Sequence, residues 1–177
     1  TPDRALLPGS RFHMDYGFVR GSTTTKSEDG PLITSKEGYN CYLLVADEYS
    51  RHLWVFLFNN KAPPVDTITT FLSTHGLKSG LRRVRTDQGG ELAGSSRFKK
   101  CIADAGYILE TTGAGASFQN AVVERPHRTL ADMMRTMLYG ANLSSDYWSH
   151  AIRHAVYIKN RLSHSALQGG ITPFQAY

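Results

Sequence analysis

The sequence predicts one α/β domain built on a five-stranded mixed sheet flanked by helices. Three observations point there: strand-like alternation and an aromatic-rich hairpin fill residues 11–58, strand-like and helix-like segments then take turns, and two apolar stripes at helical spacing close the chain. The 177 residues, 41% hydrophobic and 20% charged, suffice for a single core without disulfides or structural metal.

Residues 1–10, with two prolines and a glycine, read as an N-terminal arm, and residues 11–177 as the domain. Arg11 to Val19 alternates as a half-buried strand does, with Phe12, Met14 and Tyr16 on one face and His13 and Asp15 on the other. The stretch 21–38, rich in Gly, Ser and Thr, reads as a mobile surface loop. Tyr39 to Ala46 and His52 to Phe58 form an antiparallel hairpin, and Asp47 is a turn former whose carboxylate bonds nearby backbone. A helix follows from about Pro64 to Thr74, turning Val65, Ile68, Phe71 and Leu72 inward. Arg82 to Thr86 is a short strand that leaves Asp87 at its C-terminal end, ahead of a Gln-Gly-Gly turn.

Ser95 or Ser96 caps a helix to about Ala105, and Tyr107 to Thr111 is one more strand. Residues 112–117 are irregular. A long helix from about Asn120 to Tyr139 carries an apolar stripe of Leu130, Met133, Met134, Met137 and Leu138, facing the core or a dimer partner. A last helix starts at Ser144 or Ser145, with Trp148, Ala151, Ile152, Ala155, Val156 and Leu162 on one side. This order of elements matches an RNase H-like fold.

Net charge is +5 and is shared between both halves of the chain, so a polyanion would meet a folded surface rather than a basic tail. No apolar run approaches the roughly 20 residues of a membrane-spanning helix. The N-terminus has no signal-peptide character, which fits a soluble intracellular protein. Cys41 and Cys101 stand in no CxxC and in no zinc-finger spacing with histidine. Trp54, Tyr107 and Trp148 read as core aromatics.

Three acids fall where such a fold would bring them together: Asp15 within the first strand, Asp87 at the end of the fourth, and Glu124 in the first turns of the long helix. Hard divalent cations take oxygen ligands of this kind, and an open carboxylate cluster suits phosphoryl-transfer substrates. Two ions about 3.5–4 Å apart can activate an attacking oxygen and neutralise a leaving one in an in-line displacement. Glu91, Asp104, Glu110 and Asp132 read as surface charges. His127, the one histidine near this trio, is not read as a ligand. Arg82, Arg83 and Arg85 read as solvated, with Arg83 assigned to the strand face opposite the other two.

The stretches His13-Met-Asp-Tyr-Gly17, Arg85-Thr-Asp-Gln-Gly-Gly-Glu-Leu92 and Gln119-Asn-Ala-Val-Val-Glu-Arg-Pro-His-Arg-Thr-Leu130 together resemble the integrase catalytic core of retroviruses and LTR retrotransposons, the copia type above all. The family signature is Asp, Asp, about 35 residues, Glu; here 36 residues separate Asp87 from Glu124. Ala46 to Trp54, Tyr147-Trp148, Asn160-Arg161 and Thr172-Pro-Phe174 are similar to further family segments.

The resemblance implies a metal-dependent polynucleotidyl transferase that joins the 3′ ends of retroelement DNA to target double-stranded DNA, and that nicks DNA when water replaces the 3′ hydroxyl. It implies that Asp15, Asp87 and Glu124 are catalytic and bind two Mg²⁺ or Mn²⁺ ions, and that Asn120, Arg125 and Arg128 lie near DNA. Their spacing agrees, since Asn120, Glu124 and Arg128 recur at i, i+4, i+8 on one helix face. It also implies a homodimer or higher oligomer, made in the cytoplasm within a polyprotein and acting in the nucleus. Two competing readings are a non-catalytic DNA-binding or assembly module derived from such an enzyme and an RNase H-like nuclease.

The sequence departs from the family pattern in two places. The segment Thr111 to Ala121 holds glycines in place of the usual prolines, and Pro126 stands two residues after Glu124. A proline there either kinks a helix begun at Asn120 or marks the start of regular helix. The zinc module and the C-terminal DNA-binding region of a complete integrase are not found, so the chain reads as an excised core.

Overall fold

Seven consecutive buried residues, Cys41–Asp47, form the centre of the structure. A strand with both faces buried belongs in the middle layer. In the computed structural model, which describes residues 5–21, 30–87, 91–112 and 121–177, this strand is β2 of a five-stranded sheet ordered β3-β2-β1-β4-β5. β1 (Arg11–Gly17), β2 and β3 (Leu53–Phe58) are antiparallel neighbours, whereas β4 (Arg83–Thr86) runs parallel to both β1 and β5 (Ile108–Thr111). The expected α/β architecture, a five-stranded mixed sheet with flanking helices, is what the chain forms. β1 ends two residues earlier than its alternation suggested, at Gly17.

Each sheet face has its own apolar layer. On one, Phe12, Met14, Leu43, Val45 and Val84 pack with Ile68, Phe71 and Leu72 of α1 (Val65–His75) and with Phe98, Cys101 and Ile102 of α2 (Ser96–Asp104). Ser95 caps α2, its hydroxyl accepting from the Phe98 amide at 3.2 Å. On the other face, Tyr42, Leu44, Ala46 and Leu53 meet Val123, Leu130 and Met134 of α3 (Ala121–Gly140) and Trp148, Ile152 and Ala155 of α4 (Trp148–Lys159). Met133, Met137 and Leu138 are partly buried against this layer. A single 3-10 turn, Ser145–Tyr147, leads into α4, and Leu162 lies beyond its end at 51% exposure, so Leu162 is not part of the buried stripe. The helical period carried the expectation one turn too far, past Asn160.

Asn160 explains that stop. Its side-chain amide accepts from the Leu53 N–H at 2.9 Å and donates to the Leu53 carbonyl at 2.8 Å, pairing with the free edge of β3 as a strand would. A short closing helix, α5 (Pro173–Ala176), begins with a Thr172–Gln175 capping box and a proline in its first turn.

The helix α3 passes through Pro126 without interruption, so regular helix does not wait for the proline. Proline inside a helix costs about 3 kcal/mol. Full burial of an apolar side chain contributes about 1.5–3 kcal/mol, and Val123, Leu130 and Met134 supply three. The stripe therefore outweighs the proline. Glu124 stands in the first helical turn.

Other expectations fall outside the described residues, namely the conformation of 113–117 and the mobility of 22–29. The chain flanking the latter is paired, through an Arg20 to Leu32 bridge and a bond from the Gly21 N–H to the Pro31 carbonyl at 2.9 Å. Among the described residues no helix is long and apolar enough to cross a membrane.

Candidate active site

Parallel pairing between β1 and β4 ends at Met14 opposite Thr86. Asp15 is the next residue on β1, and Asp87 is the residue that follows the end of β4. Asp15 is partly buried and Asp87 exposed. Asp15 stands on the sheet face that α3 crosses, opposite Leu44 of β2, whose side chain belongs to the α3 layer.

Glu124 and His127 are three apart on α3 and so share one helix face. His127 fixes where that face points, because its Nε2 lies 3.4 Å from Asp15 Oδ2. Glu124 is thus one turn away from a contact with Asp15, exposed and without a salt bridge among the described residues. The three acids come from β1, from the residue after β4 and from the first turn of α3.

The donor set, three hard carboxylates, is of the kind Mg²⁺ and Mn²⁺ take. Among the described residues, however, no group of three or more His, Cys, Asp or Glu side chains is drawn together tightly enough to hold a metal ion. The adjacency lies in the backbone and in the α3 face rather than in a closed cage of side chains. An open cluster of this sort fits an ion that keeps water and phosphate oxygens in its shell.

Of the other residues expected near DNA, Arg125 and Arg128 are exposed on α3, and Asn120 lies outside the described residues. Arg125 lines a cavity of about 260 Å³ with Arg51, Lys159, His164 and Pro126, a basic groove against the start of α3. The sequence did not signal this groove, because its walls come from the β2–β3 turn, α3 and the chain after α4.

Behind the acids the same sheet face is charged but paired. Glu48 Oε2 accepts from Arg11 Nη1 and pairs with His13 Nε2, both at 3.1 Å, and all three residues are buried. Burial alone would raise the Glu48 carboxyl, but hydrogen bonds and charge from His13 and Arg11 outweigh it and hold its pKa down at about 2. Asp47 is the turn former expected of it: it accepts from the Ser50 amide at 2.8 Å and the Ser50 hydroxyl at 2.7 Å, and also from the Gly9 amide at 2.9 Å. Burial nevertheless pushes the Asp47 pKa up.

Two expectations about charges are corrected. Glu110 is not a free surface charge: Arg83 Nε reaches it at 3.0 Å and Arg85 Nη2 at 2.8 Å. Arg83 and Arg85 therefore share a face, as residues two apart in a strand must. Arg82 is the one set apart, lying over the Tyr107 ring 5.3 Å from its centroid. Glu91, Asp104 and Asp132 do sit at the surface, paired with Lys61, Lys100 and Arg135.

Reasoning from sequence missed Tyr42. Its hydroxyl is 3.0 Å from His127 Nδ1, and its ring lies where a β-carbon on Gly17 would come within 2.2 Å of it. A glycine inside a strand marks a close approach, so Gly17 was the available signal.

Comparison with known proteins agrees with this architecture. No family model matches the chain. It is 33% identical over 135 residues, 75% of its length, to the retrovirus-related Pol polyprotein from transposon TNT 1-94 of Nicotiana tabacum. It is 28% identical over 145 residues to that from transposon RE2 of Arabidopsis thaliana. The chain spans about 10% of the length of each of these relatives. Among solved structures, the HTLV-2 integrase catalytic core domain in complex with magnesium superposes with a TM-score of 0.66 at 20% identity, covering 98% of this chain and 99% of that one. A simian T-cell lymphotropic virus intasome in complex with PP2A regulatory subunit B56 gamma gives a TM-score of 0.72 at 17% identity, covering 98% of this chain and 56% of that one. The chain is thus related in sequence to retrotransposon Pol polyproteins and has the RNase H-like fold of retroviral integrase catalytic cores, a combination that fits a copia-type integrase core.

Proposed function

We propose that this chain is a metal-dependent polynucleotidyl transferase that joins 3′ ends of retroelement DNA to target double-stranded DNA, with Asp15, Asp87 and Glu124 as its catalytic carboxylates. The observation that carries this reading is the placement of Asp15 and Asp87 one step beyond the last β1–β4 pair, with the Glu124 face of α3 turned to Asp15 through His127. Two divalent ions held by these carboxylates would activate the attacking oxygen and offset charge on the leaving one. The protein's part is to hold three oxygen donors on rigid elements and to keep the approach open. Arg125 and Arg128, exposed on α3, and the basic groove at Arg125 would contact phosphates, which positions a backbone without reading its sequence. Asn120, which precedes α3 in the sequence, joins this DNA contact in the proposed reading.

The magnesium in the HTLV-2 core supports a divalent cation here, and the dimeric and trimeric forms of that core support assembly of at least two copies. We extend the reading to the cell: synthesis within a polyprotein, as the relatives are named, and action in the nucleus. The test is cleavage or disintegration of a branched DNA substrate with Mn²⁺. The chain converts it and Glu124→Gln does not. Equal conversion by both would return the reading to a non-catalytic DNA-binding or assembly module, contaminated by another nuclease.

A further inference from the structure

A chain of three side chains reaches Asp15 from inside the protein. Tyr42 is 3% exposed, and its hydroxyl sits 3.0 Å from His127 Nδ1. His127 Nε2 is enclosed, has no hydrogen-bond partner within ideal geometry, and lies 3.4 Å from Asp15 Oδ2. The backbone is cut to fit this arrangement. Gly17 stands opposite Tyr42 in the β1–β2 register, and any β-carbon there would collide with the end of the tyrosine ring.

The direction of the chain follows from what each atom can do. A carboxylate only accepts, so the nitrogen facing Asp15 must carry the hydrogen. With that single hydrogen on Nε2, Nδ1 is an acceptor, which leaves the phenol as donor. Burial first, and then the nearby Asp15 charge, keep the Tyr42 phenol protonated, so that hydrogen is available.

We infer that Tyr42, acting through His127, positions the Asp15 carboxylate, with the phenol donating to Nδ1 and Nε2–H directed at Oδ2, so that Oδ1 is the oxygen left for a cation. His127 is then a positioning residue and not a ligand. Partners of this kind behind a metal-binding group fix its orientation, and their loss costs about 10–100-fold in metal affinity. The 3.4 Å gap closes with a shift of a few tenths of an ångström, as contacts at unliganded sites commonly do. The inference rests on the reading of Asp15 as a metal ligand.

The experiment pairs ¹⁵N NMR of the histidine side chains with Mn²⁺ titration followed by electron paramagnetic resonance. In the wild-type chain His127 shows the Nε2–H tautomer. Tyr42→Phe, which keeps the ring over Gly17, loses that preference and binds Mn²⁺ about tenfold more weakly. His127→Leu weakens binding by at least as much, and His127→Gln, whose amide N–H can stand in for Nε2–H, restores most of it. An Nδ1–H tautomer in the wild type would overturn the inference. So would wild-type Mn²⁺ affinity in Tyr42→Phe and His127→Leu beside a loss in Asp15→Asn, an outcome that leaves the metal reading standing. Failure of the wild type to bind Mn²⁺ would overturn both.

Discussion

The polar face of β1 has two ends with opposite electrostatics. At one end Arg11 and His13 are buried against Glu48, and the nearby Arg83 and Arg85 close on Glu110, so each charge has a partner within about hydrogen-bond reach. At the other, within four residues along β1, Asp15 follows the last β1–β4 pair and faces His127 of α3 at 3.4 Å, and Asp87 follows the end of β4. The first end is built for the fold. The second brings acids from neighbouring strands near one another, a cost that a fold accepts where function needs it.

If that contrast is right, substitutions at the two ends have opposite signatures. The largest effect belongs to the acids. Asp15→Asn or Asp87→Asn should lower Mn²⁺-dependent DNA nicking by about 10³-fold or more, since metal-borne charge stabilisation is worth several kcal/mol. Their unfolding midpoints should stay level or rise, and a fall in midpoint matching the loss of activity would erase the contrast.

At the paired end the order reverses. Glu48→Ala removes the buried carboxylate that Arg11 and His13 share and should cost about 3 kcal/mol of stability by denaturant titration, with little change in turnover per folded molecule. The Glu48 pKa is held below its unfolded value, so its stabilisation is complete above the unfolded carboxylate pKa and is lost as pH falls toward about 2. Acid unfolding of the wild type should therefore show a component over that window which Glu48→Gln lacks. Gly17→Ala comes next. Its β-carbon would overlap the Tyr42 ring, an overpacking worth about 1–3 kcal/mol by thermal melts, and it would disturb the acid end through His127. Smallest is Lys100→Ala, which removes an exposed pair with Asp104 and should change stability by no more than about 0.5 kcal/mol.

What could be read from the chain alone divides along similar lines. Local periodicity located β1 to β5 and α1 to α3 within a residue or two, and α4 within about a turn at each end, because alternation and the 3.6-residue stripe are properties of neighbours. It also put Asp15 opposite Phe12 and Met14 and set Asp87 at a strand end. The partners of those acids were not legible. Tyr42 and His127 are 85 positions apart, and Arg11 and Glu48 are 37 apart. Glu110 looked like a surface charge because nothing nearby in sequence announces the two arginines one strand away. Pro126 looked like a boundary, since the stripe that overrides it gains its energy only against α4 and β2. Gly17 was visible but ambiguous, as a strand glycine signals a close neighbour without naming it.

The most direct test of the account is where a metal goes. Crystals soaked in Mn²⁺, with anomalous scattering measured at the manganese edge, should place an ion bridging the carboxylates of Asp15 and Asp87 and bring Glu124 into the coordination of that ion or a second one. Manganese bound only elsewhere on the chain, or bound with Glu124 turned away from every ion, would contradict it.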